Sequence, residues 1–277
     1  MSVSTGYLTR HAAPNGPRWA IDGNWLPESF RLGLLLQLPA DAMAGALGAL
    51  VTQERASGAL LPPIESDHEV WACGVTYLRS REAREAESTV RDVYSRVYDA
   101  VRPELFFKSI GARVVGPGGE IRVRDDSGWN VPEPELTLVV NSRGEIAGST
   151  VGNDVSSRDI EGENPLYLPQ AKVYDGACAL GPGIRLGQVE RLANLPIQLL
   201  LRRGDQQIFE GTTSTSQIKR PLAELVEYLC RETAFPIGAF LMTGTGIVPP
   251  SEFSLQRGDT VQITIGDLTL ENRVAAQ

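Results

Sequence analysis

Val131-Pro-Glu-Pro-Glu-Leu-Thr-Leu-Val-Val-Asn-Ser-Arg-Gly-Glu-Ile-Ala-Gly-Ser-Thr-Val-Gly-Asn-Asp154 is the stretch on which the reading of the fold turns. Leu136, Leu138 and Val140 alternate with Thr137 and Val139. Asn141-Ser142-Arg143-Gly144 supplies turn residues, and a second extended run leads from Glu145 towards Asn153. Two such runs about a Gly-containing turn predict an antiparallel hairpin. Residues two apart in a strand share a face, so Glu133 and Glu135 project together. With the turn centred on Ser142 and Arg143, Glu133 faces Gly152 and Asp154 faces Val131. That places Asp154 on the same face as both glutamates, and a slip of one residue turns it to the other. Adjacent carboxylates repel unless a cation joins them. Three of them with no His or Cys nearby suit Mg²⁺, Mn²⁺ or Ca²⁺ better than zinc. A solvated acidic strand edge, protected by Pro134, accounts for the same residues without a metal. The pattern alone leaves both readings open.

Strand signals continue outward from this hairpin. A second hairpin is predicted around Gly204-Asp205, and two more strands lie about Gly266-Asp267 within residues 260–270. Residues 71–75 are a short apolar strand candidate. Helices are fewer. Residues 221–231 begin with Pro221, which suits a first helical turn. Residues 81–101 carry Val90, Val93, Val97 and Val101 on one stripe, and Pro103 ends the pattern. Strands dominate without a βαβ rhythm, which predicts a mixed, β-rich α+β fold. Residues 1–65 read as a small leading domain. It contains a helix after Pro39, with Asp41 in its first turn, and ends in a linker at Leu61-Pro62-Pro63. Residues 66–277 then form the main domain.

Acidic residues outnumber basic ones by 34 to 26, for a net charge of −8, so nucleic acid and anionic membrane surfaces are not expected partners. Cys73, Cys178 and Cys230 match no zinc spacing, and their odd number argues against a disulfide framework. They read as buried, reduced thiols. Residues 1–6 show no basic segment leading into an apolar run. No apolar stretch reaches the ~18 residues of a membrane span. A cytoplasmic location is therefore expected. His11 and His68 are the two histidines, and neither falls in a chemistry-bearing motif. There is no Gly-x-Ser-x-Gly elbow and no Gly-rich phosphate loop, which argues against a Ser-His-Asp hydrolase and a nucleotide-binding enzyme.

Three further sites have two readings each. Taken alone, Lys172 is a surface lysine; beside a metal it could bind a carboxylate or move a proton. Thr243-Gly244-Thr245-Gly246 is an ordinary turn, or a cradle for a carboxylate. Residues 102–108 form a strand with charged flanks, or an apolar setting that perturbs Glu104 or Lys108.

Glu133-Pro-Glu135, Gly152-Asn-Asp-Val-Ser-Ser-Arg-Asp159, Lys172, Gly181-Pro182 and Thr243-Gly-Thr-Gly246 occur in this order. Together they resemble the successive signatures of the fumarylacetoacetate hydrolase superfamily, from Trp71 to the C-terminus. Residues 74–81, 102–108, 129–135 and 163–170 are similar to the branch of that superfamily that dehydrates 2-keto-3-deoxy-pentonates. The resemblance implies a β-sandwich roll behind a small N-terminal domain. It implies Glu133, Glu135 and Asp154 as Mg²⁺ ligands, Lys172 at the substrate, Glu104 as an acid/base and Thr245 at the substrate carboxylate. Tyr77, Ser80 and Arg81 would belong to a covering loop at the substrate, with Lys108 also contacting it. Relatives associate, so a homo-oligomer is expected.

Two departures matter. Hydrolases of the superfamily carry an acid-paired histidine in the loop that here reads Tyr77-Leu-Arg-Ser-Arg-Glu82. Glu161 stands where many relatives have glutamine. Without that histidine C–C hydrolysis is disfavoured, and the activity the resemblance implies is dehydration of a 2-keto-3-deoxy-pentonate to 2,5-dioxopentanoate. The alternatives are an acylpyruvate-type C–C hydrolase, with Glu82 replacing the histidine, and a non-catalytic 2-oxo-acid-binding protein.

Overall fold

The structure, a computed structural model, describes residues 6–87, 96–187 and 189–276. Val90 and Val93 of the expected stripe, and residues 1–5, lie outside them. Six strands lead the chain: β1 (Tyr7–Ala13), β2 (Gly16–Ile21), β3 (Asn24–Trp25), β4 (Leu60–Leu61), β5 (Glu69–Gly74) and β6 (Glu104–Ile110). The middle holds β7 (Glu120–Ile121), β8 (Asn130–Val131), β9 (Pro134–Val140), β10 (Ile146–Asp154), β11 (Ser156–Ser157) and β12 (Cys178–Leu186). The last five are β13 (Pro196–Arg203), β14 (Gln206–Ser214), β15 (Ala239–Met242), β16 (Thr260–Ile265) and β17 (Leu268–Val274).

The larger sheet runs β3-β2-β1-β12-β10-β9-β15-β5-β6, with β4 also paired to β1. Its β15–β5 pair is parallel. The smaller sheet runs β14-β13-β16-β17-β7. Helices α1 (Leu32–Leu35) and α2 (Ala40–Leu50) follow β3, and α3 (Leu78–Glu87) follows β5. Helices α4 (Arg158–Glu163) and α5 (Leu168–Lys172) follow β11, and α6 (Leu222–Cys230) follows β14. None of the described helices is long and apolar enough to cross a membrane.

The larger sheet is covered on both faces. Leu136, Leu138, Val140 and Leu241 pack with Leu199, Leu201, Val261 and Ile263 of the smaller sheet and Leu225 of α6. Val139, Phe240, Met242 and Ala72 pack with Trp19, Leu26, Leu36 and Met43 from the leading residues. Hence every residue of β9 is buried, including Thr137 and Val139, which alternation alone would send to solvent. Burial of one such leucine contributes roughly 1.5–3 kcal/mol. The leading residues join the main sheet through β1 and β12, where Tyr7 pairs with Arg185 and Leu8 with Ile184.

Two local expectations differ. Leu61 lies in β4, paired with Arg10, instead of in a linker, because an edge at β1 is there to be covered. Of the helix expected over 81–101, residues 81–87 lie in α3 and residues 96–99 are helical, but Val101 is non-helical and 83% exposed. Arg220 takes the carbonyls of Ala100 and Val101, which are therefore not continuing a helix.

The β9–β10 register also differs from expectation, in a way that matters for chemistry. The turn is one residue wider than a Ser142–Arg143 centre gives. Asn141 N–H donates to Glu145 O at 3.0 Å, and Asn141 Oδ1 accepts from Arg143 and Glu145. Val140 then pairs with Ile146, but Val139 pairs with Gly148, so Ala147 is an extra residue, a β-bulge. Each change moves the register by one. Together they bring Glu135 opposite Gly152 and Glu133 beside Asp154, whose N–H donates to Glu133 O at 3.0 Å. The predicted pairing of Glu133 with Gly152 is thus corrected by two residues, an even slip that keeps the carboxylate on its expected face.

Candidate active site

Six elements converge on one end of the larger sheet. Glu133 leads into β9, Glu135 lies on it, and Asp154 ends β10. Oxygens of these three carboxylates lie within 4.8 Å of one another, and all three residues are buried. Glu104 and Lys108 come from β6, Ser80 and Arg84 from α3, Arg158 and Glu161 from α4, and Lys172 from the end of α5. Thr245 follows β15 in a loop whose Gly244 has φ +89°; a Cβ there would strike Thr76 Oγ1.

Cations surround the acids. Lys172 Nζ donates to Glu133 Oε2 at 2.6 Å and to Asp154 Oδ2 at 3.0 Å. Arg84 and Arg158 both meet Glu133 Oε1, at 3.0 and 2.7 Å. Lys108 Nζ lies 2.5 Å from Asp154 Oδ1 and also donates to the carbonyls of Val155 and Lys172. Glu161 meets Arg84 Nε at 3.5 Å and accepts from Ser156 Oγ at 3.0 Å. Glu135 accepts from the Gly244 N–H at 2.6 Å.

These surroundings set the protonation states. Burial, then Asp154 and Glu133, push the Glu135 carboxyl well above its usual range. Burial alone would lower Lys172, but Asp154, Glu133 and Glu161 outweigh it and hold the ammonium well above the ordinary lysine value. Burial, aided by Glu161, raises Glu104 to about 7. Its carboxylate lies over Gly74, where any side chain would collide with it.

The donor set fits a hard divalent cation. It consists of three converging carboxylates, one of them without a cation among its hydrogen-bond partners and strained towards protonation. Five acids (Glu104, Glu133, Glu135, Asp154, Glu161) face four cations (Arg84, Lys108, Arg158, Lys172), so with all ionised the cluster is one charge negative. A divalent ion makes it one charge positive, ready for a monoanion.

Of the residues singled out in the sequence, Glu133, Glu135, Asp154, Ser80, Glu104, Lys172 and Thr245 line one cavity. Lys172 is 3% exposed, not the surface lysine its sequence setting indicates. Three others stand off the cavity wall. Tyr77 is buried, with its ring against Gly246. Arg81 pairs with Glu85 at 3.4 Å and lies over the Tyr98 ring. Lys108 sits behind Asp154, its ammonium spent on three oxygens. Sequence reasoning gave no role to Arg84, or to Arg158 although it lies within the quoted Gly152–Asp159 signature, because arginines read as solvated until packing buries them. Glu161 did signal itself, as the departure from glutamine.

Comparison with known proteins bears on this site. A family model described as the fumarylacetoacetate (FAA) hydrolase C-terminal domain matches residues 69–275. The chain belongs to the fumarylacetoacetate hydrolase family. Within it, the chain is 51% identical over 214 residues to a probable 2-keto-3-deoxyxylonate dehydratase of Haloferax volcanii, covering 76% of this chain and 73% of that protein. It is 44% identical over 205 residues to the 2-dehydro-3-deoxy-D-arabinonate dehydratase of Saccharolobus solfataricus, covering 72% and 69%. Among solved structures, it superimposes on a 2-keto-3-deoxy-D-arabinonate dehydratase complexed with magnesium and 2,5-dioxopentanoate. The TM-score is 0.82 at 35% identity, covering 97% of this chain and 98% of that one. The β-rich α+β sandwich expected from the sequence is therefore the architecture of this family.

Proposed function

We propose that this protein is a hydro-lyase that converts a 2-keto-3-deoxy-pentonate, of the 2-dehydro-3-deoxy-D-arabinonate type, to 2,5-dioxopentanoate and water. The observation that carries the reading is the buried acid triad, Glu133, Glu135 and Asp154, sharing a cavity with a carboxyl group raised to about 7, that of Glu104. Its relatives' chemistry supports the same reading.

Glu133, Glu135 and Asp154 would hold Mg²⁺, and Mn²⁺ or Ca²⁺ would suit the same oxygens. When bound, the ion supplies Lewis-acid stabilisation of charge on the substrate's carboxylate and 2-oxo oxygens. The chain does the rest. Thr245 and Ser80 offer hydroxyls to the substrate. Glu104, with a pKa near neutrality, takes the C3 proton. Lys172, held as an ammonium, gives a proton to the departing C4 hydroxyl, which leaves as water. Transfer of a proton from C5 to C3 then yields the 4,5-enol, which becomes the C5 aldehyde. Lys108 fixes Asp154, while Arg84 and Arg158 fix Glu133. The cavity's free space is about 20 Å³, room for a single water. A five-carbon acid needs more room than that, and we read α3, which brings Ser80 and Arg84 to the cavity wall, as the covering segment.

Dehydration is favoured over C–C hydrolysis because neither histidine reaches the cavity. His11 faces Thr9 and Gly58 O, and His68 bonds Ile237 O in the core. Glu82, the alternative to the missing histidine, is half-exposed beside Arg79 and is not in the cavity wall. We also read the protein as a cytoplasmic homo-oligomer, with residues 1–65 as a supporting unit for a catalytic unit of residues 66–277.

The direct test is product analysis by NMR after adding a 2-keto-3-deoxy-pentonate, with and without Mg²⁺. The expected product is 2,5-dioxopentanoate, formed in the Mg²⁺ sample. Cleavage of acylpyruvates instead would establish the hydrolase, and Mg²⁺-dependent binding without product would establish a binding protein.

A pH profile tests Glu104 separately. A base must be ionised, so kcat/KM should fall about tenfold per pH unit below its pKa. That break should lie at or below about 7, since a cation nearby favours the carboxylate. A profile flat between about pH 5 and pH 8 would remove Glu104 from this role.

A further inference from the structure

A second cluster of ligating side chains lies away from the active site. Glu65-Ser66-Asp67-His68 forms a tight turn before β5, with His68 N–H donating to Glu65 O at 3.3 Å. Ligating atoms of Glu65, Asp67 and His68 lie within 4.8 Å of one another. The turn is anchored from outside, because Gly111 N–H donates to His68 O and Ala112 N–H to Ser66 O.

His68 is the informative member. It is fully buried, and its Nε2 lies 3.0 Å from Ile237 O. A bond to a carbonyl requires the proton on Nε2, which leaves Nδ1 with a lone pair. Nδ1 has no hydrogen bond of good geometry; the backbone carbonyl of Glu65 lies beside it, and Asp67 Oδ1 faces it at 3.9 Å. An imidazole whose far N–H is fixed by a carbonyl, with its near nitrogen turned to oxygens and poorly satisfied, has the arrangement of a metal-ligating histidine. The ring is further fixed edge-on against Phe240, with centroids 5.9 Å apart.

Glu65 is equally set in place. Its Oε1 accepts from Trp19 Nε1 and Leu32 N, and its Oε2 from Gly33 N at 3.1 Å, so a lone pair of Oε2 remains. Glu65 and Asp67 line an open cleft of about 510 Å³, which gives an ion a way in from solvent. We propose that Glu65, Asp67 and His68 form a second divalent-cation site, selective for an imidazole-accepting metal such as Zn²⁺ over Mg²⁺. Two carboxylate oxygens and one nitrogen are a borderline donor set, unlike the all-oxygen triad of the active site. A cation there clamps the turn before β5 to α1.

The two histidines of the chain make the test clean. Untagged protein with ¹⁵N-labelled histidine is saturated with Mg²⁺ to occupy the active-site triad, then titrated with Zn²⁺. The expected result is one further ion per chain by calorimetry, with the Nδ1 resonance of His68 shifted and those of His11 unmoved. Asp67→Asn, an exposed and fold-neutral change, should weaken that Zn²⁺ binding about tenfold or more. A His68 resonance that stays in place at excess Zn²⁺, or an unchanged affinity in Asp67→Asn, overturns the proposal. Either outcome leaves the dehydratase reading untouched.

Discussion

Lys172→Met is expected to lower turnover about a thousandfold, while Mg²⁺ affinity is kept or tightened. A positioned proton donor contributes typically 10²–10⁴-fold. In the role proposed above, Lys172 is that donor, and its ammonium is buried between Glu133 and Asp154. The same two contacts make the ammonium a competitor for the oxygens that a metal needs. Removing it makes the carboxylate cluster one charge more negative, so the cation gains where the chemistry loses. Methionine fills a similar volume, and the site is lined on that side by Phe106, with its ring 5.6 Å from Nζ. Single-turnover kinetics with a 2-keto-3-deoxy-pentonate, run beside Mg²⁺ calorimetry, separates the two effects. Near-normal turnover would take Lys172 out of the reaction; weakened Mg²⁺ binding would mean that it helps the metal instead of opposing it.

Glu135→Gln should have the opposite signature, with metal affinity lost and the metal-free protein stabilised. Glu135 has a backbone N–H for support, while burial and two neighbouring carboxylates act against its charge. An amide keeps the acceptor for Gly244 N and adds a donor towards Glu133 or Asp154. Mg²⁺ affinity should fall about a hundredfold or more, in line with losing an inner ligand. Because the folded carboxyl titrates above the unfolded one, the native state binds the extra proton between the two values, and metal-free stability declines as pH rises through that window. Glutamine removes this decline. Relief of about 1 kcal/mol would raise the midpoint of thermal unfolding by about 2–4 °C at neutral pH. The check is a pair of melting series across pH, with chelator and with Mg²⁺. A variant that melts lower than wild type in chelator at pH 8 would contradict the idea that this carboxylate is held at a cost.

The shared face of the two glutamates was legible because strand spacing is local. The register that brings Asp154 to them was not: the wider turn and the bulge at Ala147 each shift the pairing by one. Asp154 keeps its expected face because the two shifts cancel in parity. Locality also explains the clean reading of the hairpin at Gly204-Asp205, whose strands end at Arg203 and resume at Gln206. What else escaped depends on distant packing. Thr137 and Val139 are buried because leading residues cover the sheet's second face, which alternation within one strand does not encode. Lys172 looked exposed because its anions come from positions 18 and 39 residues away. Arg84 and Arg158 meet at Glu133 from two separate helices, and nothing in either local sequence announces a shared partner. Tyr77, Arg81 and Lys108 carried the family's pattern, yet their side chains back, brace or flank the cavity instead of facing it.

The bulge at Ala147 limits how this hairpin can change in length. The wider turn alone would have turned Asp154 away from Glu133 and Glu135, and the one surplus residue turns it back. Parity along β10 therefore acts as a constraint on heritable variation. A residue inserted at 142–144 lies outside the ladder, which begins at the Val140–Ile146 pair. A single codon gained or lost between Gly148 and Asn153 reverses the facing of the third acid, whereas a pair of codons restores it. Length changes fixed in homologous hairpins should accordingly cluster in the loop or come as even numbers within the strand.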